Sequence, residues 1–340
     1  MINKLGIIGA SNIAFKKFLP ALKKNINFKY MGVASRELVK ANKFKDKFGG
    51  EIYCDYESII NDPNIDSVYI PLPPALHYEW ALKALNNNKH VLLEKPFTTN
   101  INDTKNLLNT AASKKLAMHE NYMFEFHSQI EHVKKQLTNK EIGDLKLINI
   151  NFGFPFRGEN DFRYNKKLGG GSLFDCGGYT LKLASIILGS KINITSSNLK
   201  YSKKYDVDMS GNIVIKNDKD IFAFLSFGMD NDYRCSLDLW GSKSSIFYER
   251  IFTCPPDINP RYTKNKKEFY LNKDDHFLNS INQFFSAIQN VDIRKKSYEN
   301  ILNQGILVNK ALNFNWLLLY FWLQHLLNNN LLFIYWNIMK

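Results

Sequence analysis

The sequence predicts an α/β protein in two folding units: a doubly wound parallel sheet first, then an α+β unit built on an open, largely antiparallel sheet. Three observations predict it. Strand-like and helix-like segments alternate through the first 120 residues. A glycine loop, Gly6-Ile7-Ile8-Gly9-Ala10-Ser11, stands where the first strand meets the first helix. After residue 120 the alternation stops and strand-like runs follow one another. Alternation implies a parallel sheet covered on both faces by right-handed crossovers. Successive strands imply antiparallel pairing with helices on one side.

Taken in order, Lys4–Ile8 is a short apolar run entering a turn, and Asn12–Lys24 carries Ile13, Phe18 and Leu22 at helical spacing. Phe28–Ala34 reads as the second strand and Glu37–Phe48 as a helix. Ser67–Ile70 is a buried strand, and His77–Asn87 is a helix with Trp80, Ala81, Ala84 and Leu85 on one face. His90–Leu93, Ile101–Lys114 and Leu116–His119 read as strand, helix and strand. A helix over Phe126–Leu137 then leads into strands at Lys146–Gly153, Ile192–Tyr201, Gly211–Lys216, Ile221–Phe227, Cys235–Trp240 and Ser244–Glu249. Helices at Asp275–Gln289 and Tyr298–Asn313 close the pattern. The expected units are residues 1–120 and 121–313, with 314–340 set apart. That last stretch holds two apolar runs, Trp316–Leu323 and a second ending at Trp336, each short of the roughly 20 residues of a membrane span. A docked helix, a non-native tail and a membrane-surface or partner-binding helix are its three open readings.

With 340 residues, 45% apolar and 23% charged, the chain is long enough for two cores. The net charge of +13 invites a nucleic-acid partner, but the lysines are scattered and no recognition motif occurs, so none is expected. Part of the excess suits an anionic cofactor or substrate. Cys54, Cys176, Cys235 and Cys254 form no C-x-x-C pair and lack zinc spacing, which argues for isolated buried thiols and against a metal. The first strand starts near Lys4, leaving no room for a signal peptide, so a soluble, cytoplasmic chain is expected.

The loop opening the first helix carries the cofactor reading. Gly9 permits a tight turn at the strand end, and N–H groups at the helix start, over Ser11, Asn12 and Ile13, can hold a pyrophosphate. Ser11 and Ala14 stand in for the second and third glycines of the usual fingerprint, and both are small. A free ribose 2′-hydroxyl usually meets an acid at the end of the second strand; this chain has Ala34-Ser35-Arg36 there. Arg36 can pair with a 2′-phosphate, Ser35 can donate to it, and Lys40 follows on the same helical face. NADP is the expected cofactor, with NAD as the alternative.

Val91-Leu92-Leu93-Glu94-Lys95-Pro96 is an apolar strand ending in an acid, a base and a proline. Strand C-termini line the ligand crevice of a doubly wound sheet, and packing does not explain a lysine directly after a buried strand. Pro96 restricts the backbone of Lys95, and a cis bond there would aim the side chain. Further on, Gly169-Gly170-Gly171 leads into a helix on which Asp175 and Tyr179, four apart, share a face; Arg163 lies just upstream.

Here the sequence resembles the Gfo/Idh/MocA family of glucose–fructose oxidoreductase and inositol dehydrogenase. The likeness runs from about residue 3 to about 313. It rests on the Gly9 loop, Ala34-Ser35-Arg36, Tyr69-Ile70-Pro71-Leu72-Pro73 with His77, the Lys89-His90-Val91 and Glu94-Lys95-Pro96 block, Asn121-Tyr122-Met123 with His127, and the triple-glycine block with Asp175 and Tyr179. The resemblance implies a Rossmann domain plus an open-faced α/β domain, commonly oligomerising through its sheet. It implies Lys95 as a catalytic residue beside the nicotinamide and Asp175 against the substrate. Leu72, Pro73, His77 and Glu94 are then expected at the cofactor, and Tyr122 and Arg163 at the substrate. Tyr179 looks like the branch with dihydrodiol and xylose dehydrogenases and some sugar 3-ketoreductases. Pro74 and Glu125 depart from the pattern, where Asn and Arg are common.

The expected reaction moves a hydride between the nicotinamide and a secondary alcohol or ketone of a sugar-like substrate, including nucleotide-linked keto sugars. The alkoxide left by reduction needs a proton and a positive field. Tyr179 can supply the proton, its pKa near 10 needing to be lowered by Lys95 for the reverse direction, or Lys95 can donate directly. Free aldoses, cyclitols and trans-dihydrodiols are alternative substrates. An idle NADP-binding sensor or assembly protein is the alternative of another class. His127 reads as structural.

Overall fold

The computed structural model describes residues 2–189 and 191–314. Strands β1 (Asn3–Ile8), β2 (Phe28–Ala34), β3 (Glu51–Tyr53), β4 (Ser67–Ile70), β5 (His90–Leu93) and β6 (Met118–Glu120) form the first sheet, in the order β3-β2-β1-β4-β5-β6. Every pair in it is parallel. The order reverses at β1/β4, and such a reversal opens a crevice at the strand C-termini. Val68, Tyr69, Ile70, Val91, Leu92 and Leu93 are fully buried, as strands covered on both faces require. The covering helices are α1 (Leu19–Leu22), α2 (Leu38–Phe48), α3 (Tyr56–Asn61), α4 (His77–Asn86) and α5 (Ile101–Ser113). A π-helical turn, Ala14–Phe18, precedes α1.

The sequence reading places nothing between Phe48 and Ser67, yet β3 and α3 lie there. β3 is a three-residue edge strand, exposed or half-buried, so no apolar run marks it. The α3 signal is a cap: the Asp55 carboxylate accepts the Ser58 N–H at 2.6 Å.

After α6 (Ser128–Thr138) comes the second sheet. Its strands are β7 (Leu145–Gly153), β8 (Ile192–Tyr201), β9 (Asp208–Asn217), β10 (Phe222–Gly228), β11 (Arg234–Gly241), β12 (Ser245–Tyr248), β13 (Arg261–Lys264) and β14 (Lys267–Tyr270). The order is β14-β13-β12-β11-β7-β10-β9-β8, antiparallel except for β7–β10. The β13–β14 hairpin is charged and largely exposed, which hid it from a search for apolar alternation. Ile148, Ile150, Ile213, Ile215, Leu237 and Leu239 bury the inner face under α7 (Gly178–Leu188) and its neighbours.

Two last helices, α8 (His276–Gln289) and α9 (Val291–Leu312), return to the first sheet. Phe284 stacks on Phe28 at 5.9 Å, Lys24 pairs with Asp275 at 2.8 Å, and Ser297 Oγ donates to the Met118 carbonyl at 2.8 Å. α9 starts earlier than Tyr298 because the Asn290 side chain accepts the Asp292 and Ile293 N–H groups. Three thiols, Cys176, Cys235 and Cys254, are buried, but Cys54 is exposed, correcting the expectation for it. No helix among the described residues is long and apolar enough to cross a membrane. The apolar runs after Phe314 lie outside the described residues.

Candidate active site

The nucleotide end is built on β1 and β2. Gly9 has φ +107, and a Cβ there would come within 2.5 Å of Leu72 Cδ2, so only glycine fits. Ser11 Oγ caps the following helix by accepting the Ala14 N–H at 3.2 Å. Asn12 and Ile13 lie in its first turn, where N–H groups have no helical acceptor. The cradle therefore fits a dinucleotide pyrophosphate. Ser35 is buried at the end of β2, its hydroxyl donating to the Glu37 carbonyl and accepting the Glu37 N–H, both at 3.1 Å. Arg36 is exposed, and its guanidinium meets no carboxylate among the described residues. The Lys40 ammonium lies 2.6 Å from a Glu37 carboxylate oxygen, in an exposed pair. A phosphate would compete with that carboxylate for it.

Leu72 and Pro73 follow β4, and His77 opens α4 fully buried. The His77 ring nitrogens lie 2.8 Å from the Leu72 and Pro96 carbonyl oxygens, so the ring ties the loop after β4 to the turn after β5. Burial pulls its pKa down against those two contacts. The position is structural support behind the cofactor crevice. Pro74 packs against the second unit: a Cβ on Gly169, at φ +79, would come within 2.9 Å of it.

The Lys95–Pro96 bond is cis. Lys95 Nζ donates to Asp175 Oδ1 at 2.7 Å and to the Asp175 backbone carbonyl at 2.8 Å. Arg163 Nε donates to the other carboxylate oxygen at 2.7 Å, and Asp161 holds the Arg163 guanidinium at 3.0 Å. Burial pushes the Asp175 carboxyl up, but the Arg163 and Lys95 cations overcome it and hold it well below the usual carboxylate range. Asp175 sits in a π-helical turn, Leu173–Gly177, that runs into α7. Such turns recur at functional sites, and here one carries Asp175 and the other follows the Gly9 loop. Lys95 and Asp175 are 11% and 10% exposed, so the pair is shielded yet reachable.

Tyr179 is also brought in. The Lys95 ammonium lies 4.9 Å from the centre of its ring, over the face, and the hydroxyl donates to Met123 Sδ at 3.6 Å. Burial, then Glu94 and Asp175, raise the phenol well above its ordinary value. The expected lowering by Lys95 is thus corrected: the ammonium faces the ring, not the oxygen, and Asp175 already balances its charge. Tyr122 is corrected too. It is 1% exposed, edge-on to Tyr179 at 5.0 Å, and its hydroxyl meets Gln304 rather than the crevice.

Glu94 is buried, accepting from Tyr69 and Asn121 at 2.6 Å each; burial raises its pKa against those bonds. Tyr69, Asn121, Asp161 and Glu120 escaped the sequence reading as site residues. Glu120 ends β6 and Asn121 follows it, the strand-end position that also marks Lys95. Glu125 forms a buried pair with Lys182 at 3.1 Å, which gives its departure from the family pattern a structural meaning. His127 is structural: its Nδ1 accepts the Gln129 N–H at 3.1 Å and caps α6.

A nucleotide cradle at the switch point of a parallel sheet, facing a shielded ammonium–carboxylate pair, defines a dinucleotide-dependent oxidoreductase. Residues 3–122 match the family model described as an oxidoreductase family with an NAD-binding Rossmann fold, and residues 130–247 match the GFO/IDH/MocA C-terminal domain. This chain belongs to the Gfo/Idh/MocA oxidoreductase family. It is 36% identical over 254 residues to a dTDP-3,4-didehydro-2,6-dideoxy-alpha-D-glucose 3-reductase of Saccharopolyspora spinosa, covering 75% of this chain and 76% of that one. It is 32% identical over 310 residues to the enzyme of the same name from Actinomadura kijaniata, covering 90% and 93%. The crystal structure of KijD10, a 3-ketoreductase from Actinomadura kijaniata in complex with NADP and TDP-benzene, superposes with a TM-score of 0.89 at 31% identity, over 92% of this chain and 97% of that one.

Proposed function

We propose that this chain reduces the ring ketone of a nucleotide-linked keto sugar with NADPH. The observation that carries the reading is the Lys95–Asp175–Arg163 cluster at the mouth of the nucleotide crevice. When bound, NADPH supplies hydride to the ketone carbon. Lys95 has three N–H bonds, and Asp175 accepts two of them. The third is left for the substrate oxygen, where it polarises the carbonyl and holds the proton that oxygen needs. Asp175 aims that ammonium and keeps lone pairs for neighbouring sugar hydroxyls. Arg163 keeps Asp175 ionised. Tyr179, with its hydroxyl turned to Met123, forms the wall behind Lys95, so Lys95 is the direct donor.

The nucleotide part has a handle in Arg157. It is exposed, its guanidinium carbon lies 4.5 Å from the Phe154 ring centre, and Arg163 lies 5.9 Å from the same ring. No carboxylate holds Arg157 among the described residues. Arg157 shares the Phe154 ring with Arg163, which holds Asp175 at 2.7 Å, so we assign the diphosphate of the substrate to Arg157. NADPH absorbance should fall with a dTDP-linked 3-keto sugar, and with NADP+ it should hardly rise on free aldoses or trans-dihydrodiols; ready NADP+ reduction by these alcohols with no NADPH oxidation by the keto sugar would overturn the reading. Arg157→Ala should raise KM for the nucleotide-linked substrate about tenfold with little change in kcat. An equal effect on a free keto sugar would remove Arg157 from phosphate binding.

The outer face of the second sheet is the place for a second copy. In register across β10, β7, β11 and β12 lie Phe222, Leu147, Trp240 and Ser245 in one row, and Phe224, Asn149, Asp238 and Phe247 in the next. Phe222, Phe224, Trp240 and Phe247 are 37–54% exposed, an apolar patch unusual for a monomer. Sedimentation should show an oligomer that Phe224→Glu with Trp240→Glu dissociates; an unchanged mass would place any interface elsewhere.

A further inference from the structure

Beneath the Lys95 turn lies a small pocket of mixed lining that the reaction above does not use. Glu120 ends β6 opposite Leu93, so its carboxyl reaches under the turn that carries Lys95. Its Oε1 accepts the Phe97 N–H at 2.8 Å. Its Oε2 is shut off from solvent and has no partner. A cavity of about 20 Å³ is lined by Glu120, Phe97, Thr98, Tyr122 and Gln304, among others. That is room for one water. Gln304 lines the same cavity and carries a second unpaired acceptor. Its Nε2 donates to the Gly178 carbonyl at 2.9 Å, which orients the amide, and its Oε1 is buried without a partner.

Two unpaired acceptors on one small cavity call for donors. The charged groups around Glu120 are Lys182 of α7, Glu125 of the turn before α6, and Lys95 after β5. Lys182 is itself bound to Glu125. None of these cations hydrogen-bonds Glu120, so its anion would be buried unpaired. Burial pushes the carboxyl up to about 7, against Lys182, the Phe97 N–H and Lys95 and with Glu125.

We propose that Glu120 is a positioning residue for Lys95, which takes up a proton, shares one internal water with Gln304, and through its change of charge sets the field at the Lys95 ammonium. Neutral Glu120 donates to the water, and the water donates to Gln304 Oε1. Ionised Glu120 receives the second hydrogen of the same water. The Phe97 bond holds the turn in both states. The proposal rests on the reductase reading for its link to Lys95, and one of its two tests needs no turnover.

A carboxyl raised in the fold binds its proton more tightly there than in the unfolded chain. Its burial therefore costs stability progressively as pH rises from 4.5 to about 7. The melting temperature of wild type should accordingly fall relative to Glu120→Gln across that window; a difference that does not change with pH overturns the proposal. In the second test, wild-type kcat should inflect near pH 7 and Glu120→Gln should not, with NADPH KM within about twofold. An inflection that survives in Glu120→Gln also overturns it. Should that variant fail to fold, Gln304→Met leaves Glu120 in place and must displace the inflection, and an unmoved one sinks the shared water. Wild type without keto-sugar turnover would end the reductase reading, and the melting titration would still decide the state of Glu120.

Discussion

Replacing Lys95 by methionine should cut keto-sugar reduction by about 10³-fold or more while NADPH binding survives. The size follows from the loss of a positioned proton donor together with the ammonium paired to Asp175. The binding half follows from geometry, since the cradle at Gly9, Ser11 and Arg36 lies on other strands. Asp175 keeps Arg163 at 2.7 Å in the variant, so its carboxylate is not left alone. NADPH titration by fluorescence and single-turnover absorbance read the two halves separately. Unchanged turnover would remove Lys95 from the chemistry and with it the main claim about this site. Tyr179→Phe gives the contrast: a much smaller loss is expected, because its hydroxyl already faces Met123.

Arg36→Ala should weaken NADPH by about 10- to 100-fold and leave NADH within about twofold. A charge-assisted bond to a phosphate contributes roughly 1.5–3 kcal/mol, which sets that range. Arg36 is exposed and meets no carboxylate among the described residues, so its whole charge is available to a 2′-phosphate. Lys40 does not compensate, being tied to Glu37. Equal losses for the two cofactors would overturn the assignment. Lys40→Ala should change NADPH affinity far less than Arg36→Ala, for the same reason.

Local features were legible wherever the physics is local. Gly9 must be glycine because its backbone is left-handed and Leu72 fills the space of a Cβ, and the loop spacing alone shows the turn. Lys95 stands out because a charge directly after Val91-Leu92-Leu93 has no packing reason. Elements without an apolar signature were missed: β3 at the sheet edge and the exposed β13–β14 hairpin. Asp161 carries no signal in the sequence, since only the folded turn shows that one guanidinium serves two acids. Glu120 reads as an ordinary loop acid in Met118-His119-Glu120-Asn121, and its burial follows from a strand pairing rather than from its neighbours.

By itself the sequence determined the two-sheet architecture, the nucleotide loop, the 2′-phosphate signal and the three side chains Lys95, Asp175 and Tyr179. Each depends on a residue's own backbone, its charge or its periodicity. Only the tertiary structure decided what those side chains touch: Lys95 donates twice to Asp175, and Tyr179 turns its oxygen to Met123. Hydrogen-bond direction and desolvation depend on groups many residues apart. No spacing along the chain encodes which of two polar atoms will face the cleft.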